Sequence, residues 1–392
     1  MTSKWHQFTL GEITELVIDY RGKTPKKLGG DWCERGYRAL SAKNIKTGRI
    51  VQTDTIRYID EELYRKWMKD EVQRGDIIIT SEAPFGQIFF WDSDEKIVLS
   101  QRLFCVRIKP KYDARFIYYY MTTPEFQSEL GGRATGTTVI GLRQPELMKC
   151  VIQCPEIQEQ KVISAILSSI DAKIIANEKV NDNLIQQAAA LFSSLYGRSN
   201  TEVRYTDLIQ ILGGGTPKTG ENTYWNGNIA FFTPKDVGTP YTLITEKTIT
   251  EEGLSHCNSR LYPVNTVFVT ARGTVGKVGM SGVPMAMNQS CYALVGKETH
   301  QLLVYFYTLK TVDRLKHKAS GAVFDAITTR DFESEQIMKL SDDDAKAFLC
   351  IAEPMFQKVL NNSTENLRLS TLRDSLLPKL MSGEIDVSAV QF

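Results

Sequence analysis

Two stretches of the chain, beginning near Pro155 and near Ser341, are almost free of glycine, rich in Leu, Ile, Ala, Asn and Gln, and apolar at helical spacing. Stepping alternately four and three residues from Ile163 reaches Leu167, Ile170, Ile174, Asn177, Asn181, Leu184, Ala188, Leu191 and Leu195. The same walk from Phe348 reaches Ala352, Met355, Val359, Asn362, Asn366, Leu369, Arg373, Leu376 and Leu380, each 185 positions beyond its counterpart. A sustained 4-3 apolar repeat is a coiled-coil seam, in which a few polar positions fix register at some cost in stability. The asparagines sit at the middle of each seam. Antiparallel helices related by a pseudo-two-fold axis would therefore set Asn177 against Asn366 and Asn181 against Asn362, giving each buried amide a partner. Asparagines turned to solvent are the alternative, because seams drift along a helix. Pro354 removes a backbone hydrogen bond and predicts a kink or a late start of the second helix, and Pro378 an early end to its regular part. The first seam, 33 residues from Ile163 to Leu195, spans about 50 Å at about 1.5 Å per residue.

Ahead of each helix lie short β-type runs such as Ile77-Ile78-Ile79-Thr80 and Val267-Phe268-Val269-Thr270, separated by Gly, Pro and Asn turns. These regions repeat. Lys23-Thr24-Pro25-Lys26 is echoed by Gly215-Thr216-Pro217-Lys218, and Lys43-Asn44-Ile45 by Lys235-Asp236-Val237, both displaced by 192 positions. Gly86-Gln87-Ile88 returns as Gly276-Lys277-Val278 at 190, Gln101 as Gln289 at 188, and Arg133-Ala134-Thr135-Gly136 as Lys318-Ala319-Ser320-Gly321 at 185. Ordered matches with a one-way drift mark a duplication trimmed by small deletions. The pattern predicts an α+β protein: two pseudo-symmetric, mostly-β domains over 1–154 and 198–340, each followed by a long helix, over 155–197 and within 341–392. The helices pack antiparallel as a coiled-coil spacer.

The composition suits this reading, with 392 residues that are 42% hydrophobic and 24% charged. The net charge of +1 hides an asymmetry. Residues 1–150 carry 24 basic and 20 acidic side chains and 198–330 carry 14 and 10, whereas the helical parts 151–197 and 331–392 carry 3 against 5 and 6 against 11. Basic globules on acidic helices suit two phosphate-facing modules on a spacer that does not itself adhere to the backbone. Seven scattered cysteines and a start without the apolar core of a signal peptide point to the cytoplasm, and no run of apolar residues is long enough for a membrane span. Cys150 and Cys154 lack further ligands in tetrahedral spacing, so no metal site is expected.

Enzymatic signatures are missing. Gly213-Gly214-Gly215-Thr216-Pro217-Lys218-Thr219 fails as a phosphate loop because Pro217 has no N–H to offer. There is no dinucleotide fingerprint, no Ser, His and Asp set among four histidines, and no Asn-Pro-Pro-Tyr type tetrapeptide, Ala83-Pro84-Phe85-Gly86 being the nearest. What recurs is a set of loop residues able to contact nucleic acid: Lys23 and Thr24 with Thr216 and Lys218; Lys43 and Asn44 with Lys235 and Asp236; Ser81 with Arg272, Thr274 and Lys277; Arg102 with Asn288 and Ser290; Arg133 and Thr135 with Lys318 and Ser320. Lys and Thr suit phosphate, whereas Arg and Asn or Gln are the usual readers of guanine and adenine. For any one of these residues a role in shaping a turn is an equal alternative.

The duplicated Gly-x-Thr-Pro-Lys opening, the run Thr270-Ala271-Arg272-Gly273-Thr274-Val275-Gly276, Asn288-Gln289-Ser290-Cys291, and the ending Leu376-Leu377-Pro378-Lys379-Leu380-Met381-Ser382-Gly383-Glu384-Ile385 resemble the specificity subunits of type I restriction-modification systems. The resemblance implies two target-recognition domains, each reading one half of a bipartite, asymmetric site in duplex DNA. It also implies helices that set the gap and dock two methyltransferase subunits for adenine-N6 methylation, with restriction subunits joining in the full complex. No cofactor is then bound by this chain, and S-adenosylmethionine, ATP and Mg2+ belong to the partner subunits. Ser81-Glu82-Ala83-Pro84-Phe85-Gly86 departs from the Gly-Thr-Val-Gly style of the second copy. The competing readings are a protein-interaction scaffold built of repeats, with incidental DNA binding, and a DNA-modifying enzyme in its own right.

Overall fold

The computed structural model describes residues 5–136, 140–238, 240–318, 326–388 and 390. The chain forms two compact units that do not follow the sequence-based boundaries: Met1–Ala172 with Ser370–Phe392, and Lys173–Leu369. The reason is the helices. The central helix runs Ile157–Arg198 and the C-terminal helix Asp342–Met381, so each contributes one part to either unit.

In the first unit, strands Thr14–Ile18, Leu103–Ile108, Ile77–Thr80 and Ile88–Phe90 form an antiparallel sheet in that spatial order. Ile77, Ile79, Phe104 and Val106 face a core closed by the helix Ala114–Met121 and by Ile163, Leu167 and Leu380 of the long helices. The opposite face of the same strands, with Ile78 and Cys105, packs on a second cluster. That cluster lies under a three-stranded sheet in which Tyr37–Leu40 pairs antiparallel with Arg57–Ile59 and parallel with Ile97–Leu99. Alternate residues thus serve two cores, which is why Ile77–Thr80 is buried along its whole length rather than on one side.

The second unit repeats this plan. Ile209–Gly213, Cys291–Gly296, Val267–Thr270 and Val278–Ser281 follow in the same order, with Tyr241–Thr242 added at the edge, and Trp225–Phe232 pairs antiparallel with Lys247–Ile249 and parallel with Met285–Met287. Its core gathers Phe192, Phe306, Phe348 and Phe356, with Phe192 stacked on Phe306 at 5.0 Å between ring centroids. In both units a two-stranded ribbon leads into a long helix: His6–Thr9 with Val151–Cys154, and Thr201–Arg204 with Gln336–Lys339.

Every position of both predicted seams is buried or half-buried. Within the second unit the helices run antiparallel, Asn177 Nδ2 donating to Asn366 Oδ1 at 2.8 Å and Asn362 Nδ2 to Asn181 Oδ1 at 2.8 Å. Asn177 Nδ2 also reaches Glu365 Oε2 at 2.8 Å, and that hydrogen bond holds the Glu365 carboxyl below its usual range. In the first unit the matching contact is ionic: Arg373 Nη1 lies 2.8 Å from Asp171 Oδ1, whose other oxygen accepts from Tyr119 Oη at 2.6 Å. Pro354 does not delay the C-terminal helix, which starts at Asp342 and runs unbroken past Pro378 to Met381. The carbonyl that Pro354 leaves without an intrahelical donor belongs to Cys350, an exposed residue, so water can serve it. Cys150 and Cys154 are buried, and burial pushes both thiols up to about 12.

The amide pairs predict an asymmetry between single and double replacements. Asn362→Ala leaves Asn181 Oδ1 without its donor and should cost about 1–3 kcal/mol in urea unfolding. Replacing Asn181 and Asn362 together by Leu should recover that stability while loosening the register. A double variant as unstable as the single one would contradict the pairing.

Candidate nucleic-acid interface

One loop is built twice by the same main-chain bonds. Thr80 ends the first strand fully buried, and its Oγ1 accepts from Gln87 N at 2.8 Å while its carbonyl accepts from Gly86 N at 3.1 Å. Thr270 does the same for Lys277 N at 2.9 Å and Gly276 N at 2.8 Å. The next residue is tied in turn: Ser81 N donates to Arg102 O and Ala271 N to Ser290 O, at 2.9 and 2.8 Å. Leu142 N and Ile327 N then close on the carbonyls of Ser81 and Ala271, at 3.0 and 2.9 Å. These bonds align Ser81 with Ala271 and Glu82 with Arg272, in keeping with the displacement of 190 positions. Ser81 is buried, and the position that faces outward is Glu82 in one copy and Arg272 in the other.

Several predicted contact residues make bonds within the frame. Asn44 is buried and caps its turn, Oδ1 accepting from Ser41 N at 3.1 Å and Nδ2 donating to Gln52 O at 3.1 Å. Asp236 does the same work in the second unit, accepting from Thr233 N and Glu246 N, both at 2.8 Å. Their neighbours Lys43 and Lys235 stay exposed at the turn, Lys235 with Nζ 3.6 Å from Glu246. Lys23 is directed inward, its Nζ 2.8 Å from Trp67 O and 4.0 Å over the Tyr20 ring, and burial lowers its pKa. Thr24 Oγ1 accepts from Lys27 N at 3.4 Å. Arg133 is held by Glu129 at 2.8 Å, a bond that raises its pKa, and Lys318 pairs with Glu335. Ser320 lies outside the described residues.

In the second unit the Thr-Pro-Lys turn packs against the loop that carries Asn288 and Ser290. Gly215 N donates to Met287 O at 3.1 Å, Thr216 Oγ1 donates to Gln289 Oε1, and a Cβ on Gly214 would lie 2.2 Å from Asn288 O, so only glycine fits there. Asn288 Oδ1 accepts from Ser290 N at 3.0 Å, and Thr274 Oγ1 donates to Pro234 O at 3.3 Å. Lys218, Arg272 and Lys277 are exposed and join no ion pair among the described residues.

In the first unit the frame borders an open cleft of about 510 Å3 lined by Arg21, Ser81, Glu82, Gln101, Arg102, Thr135 and Arg143. Arg21 is fully committed, with Nε and Nη2 each 2.8 Å from an oxygen of Asp19 and its guanidinium 4.0 Å over the Phe104 ring. Arg102 Nε lies 3.0 Å from Glu82 Oε1, with both side chains partly exposed. Arg143 is exposed and without an ion pair among the described residues. Arg21, Glu82, Gln101 and Arg143 were absent from the sequence-based set. Gln101 carried a repeat signal, whereas Arg21 and Arg143 reach the cleft only through the fold.

The type I restriction modification DNA specificity domain family matches residues 2–187 and again 198–339. The chain belongs to this family. A stretch of 166 residues in this specificity-family chain is 26% identical to the type I restriction enzyme MjaIX specificity subunit of Methanocaldococcus jannaschii, covering 41% of this chain and 38% of that one. Another of 186 residues is 28% identical to the HindI specificity subunit of Haemophilus influenzae, covering 46% and 40%. These matches span about two fifths of each relative's length. The putative MjaX specificity subunit of M. jannaschii is 20% identical over 418 residues, 98% of this chain and 94% of that one. The crystal structure of a type I S subunit from M. genitalium shares the fold, with a TM-score of 0.63 over 97% of this chain and 96% of that one at 15% identity.

Thr80→Val would strip the Gln87 N–H of its buried acceptor. The expected loss is about 1–3 kcal/mol in denaturant unfolding, and an unchanged midpoint would contradict the role given to the hydroxyl.

Proposed function

We propose that this chain is the DNA sequence-specificity subunit of a type I restriction-modification complex, in which each unit reads one half of a bipartite, asymmetric duplex site. The observation that carries this reading is the loop built twice with the same backbone bonds but with different outward side chains, Glu82 and Arg102 in one copy, Arg272 and Ser290 in the other. Two copies of one frame with different readers would recognise two different sequences. Phosphate contacts would come from exposed bases such as Lys43, Arg143, Lys218 and Lys277, supplying most of the affinity and a steep salt dependence.

The paired helices set the gap between half-sites and dock two methyltransferase subunits for adenine-N6 methylation, with restriction subunits added for cleavage. This chain binds no cofactor and performs no chemistry. S-adenosylmethionine, ATP and Mg2+ act on the partner subunits, and the complex works in the cytoplasm. Among the described residues no helix is long and apolar enough to cross a membrane.

Selection from a random duplex library tests the proposal. The chain should enrich a split motif, and Arg272→Ala should weaken one half of it by about 1–3 kcal/mol while the other half stays intact. Equal loss at both halves would contradict one unit per half-site. Binding that neither weakens with salt nor selects a sequence would favour a protein scaffold.

A further inference from the structure

The cleft of the first unit places a carboxylate where a DNA-binding surface ordinarily excludes one. A negative group facing phosphates costs binding energy unless it accepts a hydrogen bond that only a base can donate. Glu82 is not needed to neutralise Arg21, which Asp19 already holds through both carboxylate oxygens. Its partner is Arg102, a non-glycine residue in the left-handed region at φ 66°, a conformation kept only where the surroundings dictate it. Arg102 approaches Glu82 through Nε, at 3.0 Å from Oε1. Both side chains are partly exposed to the cleft.

From this we infer that Glu82 and Arg102 act together as the base reader of the first unit, and that they specify a C·G pair. The inference rests on the DNA-specificity role proposed above. The Arg102 fork donates to guanine O6 and N7, Glu82 accepts from the cytosine N4 amine, and the ion pair keeps the two side chains adjacent before DNA arrives. The same two frame positions carry Arg272 and Ser290 in the second unit, where no carboxylate is present. The second half-site is therefore read by a different rule at that place.

The test uses the full chain co-expressed with its methyltransferase and a duplex library randomised over the half-site of the first unit. The unaltered protein should require a C·G pair at one position. Glu82→Gln should lower that preference about tenfold or more, because an amide donates as well as accepts. Arg102→Lys keeps the charge but not the fork. It should lose the same preference while affinity for random duplex changes less than about twofold. The second half-site should be unaltered in both variants.

Either of two results overturns the inference and leaves the broader role standing: a first half-site with no fixed C·G pair, or a Glu82→Gln variant that binds all sequences more tightly without changing the motif. In the second case Glu82 would be a counterion only. An unaltered protein that selects no split sequence would remove the proposed role itself.

Discussion

A single buried hydroxyl organises the outward loop in each copy of the repeat. Thr80 and Thr270 end their strands where the chain must leave the sheet, and the buried hydroxyl of each accepts from a main-chain N–H seven residues on. With that bond in place, Gly86 N and Gly276 N close on the threonine carbonyls, and the following residue is tied to the strand that carries Arg102 or Ser290. The two loops are therefore tied at the same points although their outward side chains differ.

The long helices solve a related problem with buried amides. An apolar seam alone would tolerate sliding, whereas Asn177 with Asn366 and Asn181 with Asn362 are hydrogen-bonded in one antiparallel register only. The cost is visible, since Asn362 Oδ1 is buried without a partner.

The duplication, the helices and the facing asparagines were legible because they depend on periodicity, and periodicity survives in a bare sequence. The sheet order was not, since the repeat says which segments correspond but not which strands are neighbours. Loop chemistry was only half legible. Asn44 and Asp236 recur because both cap the same turn, so a shared position marked a structural duty as readily as a contact. Glu82 and Arg272 share one frame position at the displacement of 190 that the repeat sets, and the bonds of Ser81 N to Arg102 O and of Ala271 N to Ser290 O agree with it. Arg21 and Arg143 join the cleft from segments about 120 residues apart in the chain, a juxtaposition that no local pattern encodes.

The most direct measurement is single-molecule methylome sequencing of cells expressing this chain with a type I methyltransferase subunit, against the same cells without the chain. A bipartite N6-methyladenine motif that appears only when the chain is present, with two unlike halves and a constant gap, is the predicted result. Methylation at the same sites in both cultures, or a motif whose two halves are identical, would contradict two copies of one frame carrying two different readers.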